Sequence, residues 1–232
     1  MEKKIYPEWS LIGFADDELT ARQIQKIIVD FGVKTVVETG IFEGKSTNRF
    51  RLTGVNVIGV EISPEYAENS KKLIEREGGK VQIVNKFWEA DEKLLLNKSV
   101  VKIIIGNSPD VLAKIAPIVQ KAPVCLYFLD AHWGDYWPIN DEIKVLQSYN
   151  NLIIVADDIK VPGKDWGYIS YKDKDLDWDL IKDDVCGFKK NFRYFYTREV
   201  SEKSARHGKI YIFVGDIAGK VRDFDGEGGF TG

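Results

Sequence analysis

Thr35-Val-Val-Glu38-Thr-Gly40-Ile-Phe-Glu-Gly44-Lys-Ser46-Thr47 is the stretch that decides the fold. A short apolar run ends in an acid, and two glycines follow at once. The run reads as a strand buried on both faces. The glycines let the backbone turn tightly and approach a ligand closely. A helix starting near Lys45 aims its N-terminal amides into the same space. Working outward, further β-rich runs appear at Asn56–Val60, Val101–Ile105, Val124–Leu129, Leu152–Ala156, Arg193–Thr197 and Lys209–Val214. Those up to Ala156 are nearly continuous apolar runs.

Helical patterns sit between them. Asp16 and Asp17 can cap a segment whose Leu19, Ile24, Ile27 and Ile28 form an apolar stripe. Ser63-Pro64 is an N-cap followed by a proline at the first helical position, leading into Tyr66, Leu73 and Ile74. Val111, Leu112, Ile115, Ile118 and Val119 make another stripe, and Ile139, Ile143 and Leu146 a fourth. Strand–helix alternation predicts an α/β fold with a Rossmann-like, mostly parallel, seven-stranded sheet and helices on both faces. The last two strands are joined by the polar Glu199–Gly208, which predicts a C-terminal antiparallel hairpin. No linker divides residues 1–222, which read as a single domain. Lys80–Lys98 holds a short strand pattern (Val81–Val84) and a helical one around Trp88, Leu94 and Leu95, so about 80–100 reads as an insertion or a lid. The tail, 223–232, holds four glycines and is expected to be flexible.

The chain has 232 residues, 44% hydrophobic and 30% charged, which excludes wholesale disorder. Its 33 basic and 36 acidic residues give a charge of −3, so bulk charge offers no basis for binding nucleic acid. Two cysteines, Cys125 and Cys186, exclude a disulfide framework and fit a reducing compartment. No apolar run approaches the roughly 18 residues of a membrane helix. The opening MEKKIYPEWS lacks the apolar stretch of a secretory leader, so a cytoplasmic location is expected.

Three ligands compete for the glycine turn. Gly40-Ile-Phe-Glu-Gly44-Lys45-Ser46 contains the G-K-S of a P-loop, but the first glycine of that motif would fall at position 39, which is threonine. A dinucleotide site needs G-x-G-x-x-G, which is absent. The pattern E/D-x-G-x-x-x-G, with an acid ending the second strand, suits S-adenosylmethionine. That second acid is Glu61, placed to accept from both ribose hydroxyls. The plain alternative is that Gly40 and Gly44 only turn the chain and Glu61 is a solvated strand end.

At the other end of the expected site, Asp130, Asp157 and Asp158 all fall at carboxyl ends of predicted strands. Three converging carboxylates repel one another unless a cation intervenes. All-oxygen ligation suits Mg²⁺ first, then Ca²⁺ or Mn²⁺. Otherwise Asp157 and Asp158 would merely cap the loop that runs to Gly163.

In order, Glu38-Thr-Gly40-Ile-Phe-Glu-Gly44-Lys-Ser46, Val57-Ile-Gly-Val-Glu61, Gly106-Asn107-Ser108, Phe128-Leu129-Asp130 and Asp157-Asp158 resemble the motifs of class I methyltransferases, nearest to the catechol O-methyltransferase-like group. The likeness runs from about Lys34 to Gly163. It implies S-adenosylmethionine held by Glu38, Gly40, Gly44, Ser46, Glu61, Asn107, Ser108 and Asp130. It also implies a divalent metal on Asp130, Asp157 and Asp158. The group's metal holds two neighbouring oxygens of a small hydroxylated acceptor, here a phenol, catechol or sugar. Where that group often has an asparagine, this chain has Asp158. Where it has a lysine after the strand-four aspartate, this chain has glycine, so His132 becomes the candidate catalytic base beside Asp130. Trp133, Tyr136, Trp137 and Trp166 are expected to wall the acceptor. A homodimer is a further expectation. The competing readings are a P-loop-like nucleotide-binding protein and a non-catalytic adenosyl-binding module.

Overall fold

The computed structural model describes Phe14, residues 17–133 and residues 136–224. Asp16, Gly134 and the tail from 225 onward lie outside them. Among the described residues there are ten strands: β1 (Thr35–Thr39), β2 (Asn56–Glu61), β3 (Val81–Val84), β4 (Val101–Ile105), β5 (Cys125–Leu129), β6 (Leu152–Ala156), β7 (Ser170–Tyr171), β8 (Lys174–Asp175), β9 (Phe192–Tyr196) and β10 (Ile210–Val214). The helices are α1 (Glu18–Asp30), α2 (Lys45–Leu52), α3 (Pro64–Arg76), α4 (Glu92–Leu95), α5 (Ser108–Val119), α6 (Ile139–Leu146) and α7 (Trp178–Cys186).

Eight strands form one sheet in the order β3-β4-β2-β1-β5-β6-β10-β9, and β7 pairs with β8 separately. All neighbours in the large sheet are parallel except β10, which runs antiparallel to both β6 and β9. The sheet therefore has eight strands where the sequence predicts seven. The extra one is β3, a four-residue edge strand whose first three residues keep some exposure. An edge strand has no need of the apolar run that betrays its buried neighbours. The stretch 80–100, expected as an insertion or a lid, holds β3 itself and the crossover from it to β4. The Asn56 side-chain amide donates to the Leu95 carbonyl at 2.8 Å, which fastens α4 to the amino edge of the sheet.

Side chains alternate along the strands and feed two cores. Val36 and Phe128 pack under α1, α2, α3 and the 3-10 helix Gly215–Phe224. Val37 and Tyr127 pack under α4 to α7. Local chemistry sets the helix starts. Asp17 accepts from the Leu19 and Thr20 amides at 3.0 and 3.3 Å, and Ser63 accepts from the Tyr66 amide at 3.3 Å ahead of Pro64. Leu19, expected in the buried stripe of α1, is instead exposed, because the cap starts the helix one residue before it and turns it outward.

β1 is the pivot. It pairs with β2 on one side and β5 on the other, residue for residue along its length. Chain order reverses between β1 and β5, and ligands in open α/β sheets bind at the carboxyl ends of strands at that reversal. The first residue after β1, Gly40, has φ +73°, and a Cβ there would lie 2.5 Å from the Asp130 carbonyl oxygen. A side chain is excluded on both counts. Gly40→Ala is expected to cost ~2 kcal/mol or more, from the left-handed backbone and the clash together, as a lowered midpoint in urea unfolding.

Candidate functional site

A cavity of about 560 Å³ opens at the carboxyl ends of β1, β2, β4, β5 and β6. Ligand pockets commonly fall in this size range. The turn after β1 supplies Gly40 through Glu43, then Lys45 and Ser46. β2 and its end supply Val60, Glu61, Ile62 and Ser63. Gly106 and Ser108 follow β4, Asp130 to Trp133 follow β5, Asp157 and Asp158 follow β6, and His207 precedes β10.

At one end Glu61 is the centre. Its carboxylate accepts from the Phe42 amide at 3.0 Å and the Ser63 amide at 2.9 Å, so both neighbouring loops are ordered around it. Phe42 holds a left-handed backbone, φ +48°, and its exposed ring meets the Tyr66 ring edge-on at 4.6 Å. Ile62 is exposed beside them, giving this end an apolar rim. Tyr66, expected to pack with Leu73 and Ile74, belongs to this rim.

Glu38 does not line the cavity. It is fully buried beneath the turn, where its carboxyl accepts from the hydroxyls of Ser46 and Thr47, the latter at 2.5 Å. Burial pushes it up to about 7, against the two hydroxyls that pull it down. Gly44, φ +75°, starts α2 and lies against Ser70. Ser108 faces the cavity, whereas the Asn107 side chain turns to Asp110 at 3.1 Å. Thr39 Oγ1, Ser108 Oγ and the Glu142 carboxyl oxygens are all buried without a well-formed hydrogen bond. Burial pushes Glu142 up to about 7, with the Ser108 and Thr39 hydroxyls opposing.

The opposite end is acidic. Register explains its content. Ile210 of antiparallel β10 pairs with Ala156 of β6, so the residues just before β10 meet the residues just after β6. Lys209, 1% exposed, reaches Asp157 Oδ1 at 2.8 Å, and the Asp158 amide donates to the same oxygen at 2.8 Å. Burial pulls Lys209 down, and Asp157 more than reverses this, so the lysine stays charged. Asp158 has a left-handed backbone, φ +56°. Its Oδ1 contacts His207 Nδ1 closely, and its Oδ2 lies 3.7 Å from His132 Nε2. The hydrogen bond to Asp158 raises His207 against the effect of burial. Asp130 is pushed well above the usual carboxylate range, first by burial and then by Asp157, Asp158 and Glu38.

The three aspartates expected as a triad all line the cavity, while the group whose ligand atoms lie close together differs from it by one member. Among the described residues, the donors close enough to share an ion are Asp130, His132 and Asp158, with ligand atoms within 4.8 Å of one another. Asp157 lines the cavity, but its Oδ1 is committed to Lys209 and to the Asp158 amide. Of the four aromatics expected to wall the acceptor, Trp133 lines the cavity, and Trp137 lines a small pocket beside it that shares Asp130, His132 and Asp157. Tyr136 bridges back to Trp133, and its hydroxyl donates to Asp141 at 2.9 Å. Trp137 packs on the core with Tyr171. Trp166 is buried, with Lys164 Nζ 5.0 Å from its ring centre. Sequence reasoning missed Phe42, Ile62, His207 and Lys209. The one signal for the last two was their place at the entry to a strand predicted to return antiparallel.

No family model matches the chain, and no curated protein matches it. Solved structures do. The O-methyltransferase from Bacillus cereus in complex with SAH is 18% identical, covering 85% of this chain and 81% of that one, with a TM-score of 0.51. Cofactor-bound Rv0187 from MTB is 14% identical over 85% and 79%, with a TM-score of 0.54. The O-methyltransferase TomG from Streptomyces achromogenes, in complex with SAM, is 13% identical over 85% and 80%, with a TM-score of 0.51. At these identities the likeness establishes the fold alone, the mostly parallel α/β sheet that the chain shares with these structures. No helix among the described residues is long and apolar enough to cross a membrane.

Two predictions follow from the buried charges. Lys209→Met removes the one cation held against Asp157 and leaves that carboxylate buried and uncompensated. It is expected to cost about 3–5 kcal/mol, measured by denaturant unfolding. Glu142 is held protonated in the folded state up to about 7, while an unfolded carboxyl ionises near 4.5. Its contribution to stability is therefore full below about 4.5 and is lost as pH rises through 7. Glu142→Gln should flatten the fall in melting temperature between pH 4.5 and 7.5 and leave the variant ahead of wild type at the upper end. An unchanged slope would show that Glu142 titrates normally.

Proposed function

We propose that the protein transfers a methyl group from S-adenosylmethionine to an oxygen of a small hydroxylated molecule, a phenol, catechol or vicinal sugar diol. The observation that carries the reading is the single cavity joining Glu61 at one end to Asp130, Asp158 and two histidines at the other. One end offers a buried carboxylate for ribose hydroxyls and the apolar rim of Phe42, Ile62 and Tyr66 for a flat ring. S-adenosylmethionine supplies an already activated methyl, so the protein's tasks are alignment and exclusion of water. Gly40 permits the close approach, and Glu61 is preorganised by its two backbone donors. The acids around Asp130 favour a positively charged partner.

The acceptor hydroxyl must lose a proton. His132 and His207 both stand at that end, and either imidazole can take it. His207 is the better oriented, because Asp158 holds its Nδ1. Trp133 shapes the acceptor space. A dication bound there would lower the pKa of an adjoining hydroxyl.

A nucleotide phosphate suits the turn poorly. The Ser46 hydroxyl is taken by Glu38, Lys45 Nζ is 3.1 Å from Glu43, and Glu61 faces the same space. Calorimetry separates the readings. S-adenosylmethionine and S-adenosylhomocysteine should bind, and ATP should not. Glu61→Gln, which turns an amide nitrogen onto one of the two backbone donors and weakens acceptance from the ribose, should bind about tenfold more weakly or worse. Turnover with a panel of phenols and sugars should release S-adenosylhomocysteine. Binding without turnover on any acceptor would favour an adenosyl-binding module, and no binding at all would defeat the reading.

A further inference from the structure

The chain has two histidines, and both meet the same aspartate. They come from opposite sides. His132 follows β5, and His207 arrives from the connection into β10. His207 takes Asp158 Oδ1, which leaves Oδ2 turned toward His132. Asp158 is held there by a left-handed backbone, a conformation that aspartate adopts at a cost and that the surroundings must enforce. Asp130 completes a group whose ligand atoms lie within 4.8 Å of one another, open to the cavity.

Charge points the same way. Asp130, Asp157 and Asp158 line the same end of the cavity. The neighbouring buried cation, Lys209, is already placed on Asp157. The carboxylates at the cavity floor thus outnumber the cation set against them.

We propose that Asp130, His132 and Asp158 form a mixed oxygen–nitrogen site for a first-row transition dication, with His207 fixing Asp158 from outside the ligand set. The proposal deepens the methyl-transfer reading and shares its cavity, but it names a different metal class from the Mg²⁺ that an all-aspartate triad suggests. Mg²⁺ takes oxygen donors and keeps its waters, whereas an imidazole nitrogen among carboxylates suits Mn²⁺, Fe²⁺, Co²⁺ or Zn²⁺. Asp157 stays outside the set because its ligand atoms are not among those that lie within 4.8 Å of one another, and Lys209 holds its Oδ1. His207 does for a ligating carboxylate what outer hydrogen-bond partners do at metal sites generally: it sets which oxygen is presented.

The probe is Mn²⁺ added to the full chain without cofactor, followed by calorimetry and electron paramagnetic resonance. Mn²⁺ should bind at least tenfold more tightly than Mg²⁺. Electron spin-echo modulation should show a ¹⁴N nucleus coupled to the bound ion. His132→Gln should abolish the nitrogen signal and remove the preference over Mg²⁺. His207→Gln should keep the signal but weaken Mn²⁺ by about 10- to 100-fold. Asp157→Asn should leave the ¹⁴N signal in place. Circular dichroism and binding of S-adenosylmethionine confirm that each variant is folded. Equal affinity for Mn²⁺ and Mg²⁺ with no nitrogen coupling would overturn the proposal, as would a signal that survives His132→Gln. If no metal binds while S-adenosylmethionine does, this inference fails and the methyl-transfer reading stands. If Mn²⁺ binds with nitrogen coupling and S-adenosylmethionine does not, the reverse holds.

Discussion

The contact on which the site depends is the buried ion pair between Lys209 and Asp157. A lysine is rarely hidden so completely, and an unpaired one would lose its proton rather than remain charged there. The pair fixes more than a charge. It locks the entry of β10 to the exit of β6, the one place in the large sheet where an antiparallel strand abuts the parallel set. His207 rides on that junction two residues earlier, and so reaches Asp158. The same pair occupies one oxygen of Asp157, which lines the cavity beside Asp130 and Asp158.

The opposite end of the cavity is organised by a different device. Here a carboxylate, Glu61, is satisfied by two backbone amides from separate loops instead of by a cation. Glu38 beneath it collects two hydroxyls and ties the start of α2 to the end of β1. One acid is thus presented and the other is structural, although both end strands and both look alike as letters. What separates them is a position along the strand. Glu38 is the fourth of five residues and points into the layer under α2, while Glu61 is the last of its strand and reaches the open edge.

The parts of the fold that were legible in the sequence are those buried on both sides. β1, β2, β4, β5 and β6 each left an apolar run that solvent exposure would have interrupted. β3 was ambiguous because an edge strand four residues long carries almost no pattern. Among the residues that line the cavity, Asp130, His132 and Asp158 are placed at that edge by topology, since the carboxyl ends of parallel strands are ligand positions. His207 has only its place before a returning antiparallel strand as a signal, because the register that brings it to Asp158 is set by strand pairing and not by a local pattern. The aromatics misled for a related reason. Tyr136, Trp137 and Trp166 sit on loops near the cavity, but a large ring on a loop gains as much by covering the core as by lining a pocket. Here these three turn to Asp141, to Tyr171 and the core, and into the interior near Lys164.

The lining of the cavity divides cleanly along the chain. Apart from Phe14, residues 40 to 108 form one wall, from strands on the β2 side of the pivot, and residues 128 to 207 form the other, from β5 onward. The two walls close together at Gly40, where a Cβ would run into the Asp130 carbonyl. Selection can therefore rewrite the later wall while the earlier one is inherited intact. The loops after β5 and β6 and the entry to β10 are free to diverge so long as Gly40, Lys209 and their contacts persist. A lineage built on this plan would keep one partner constant and change the other. Its members would differ most after residue 130 in what they recognise, while sharing an N-terminal half.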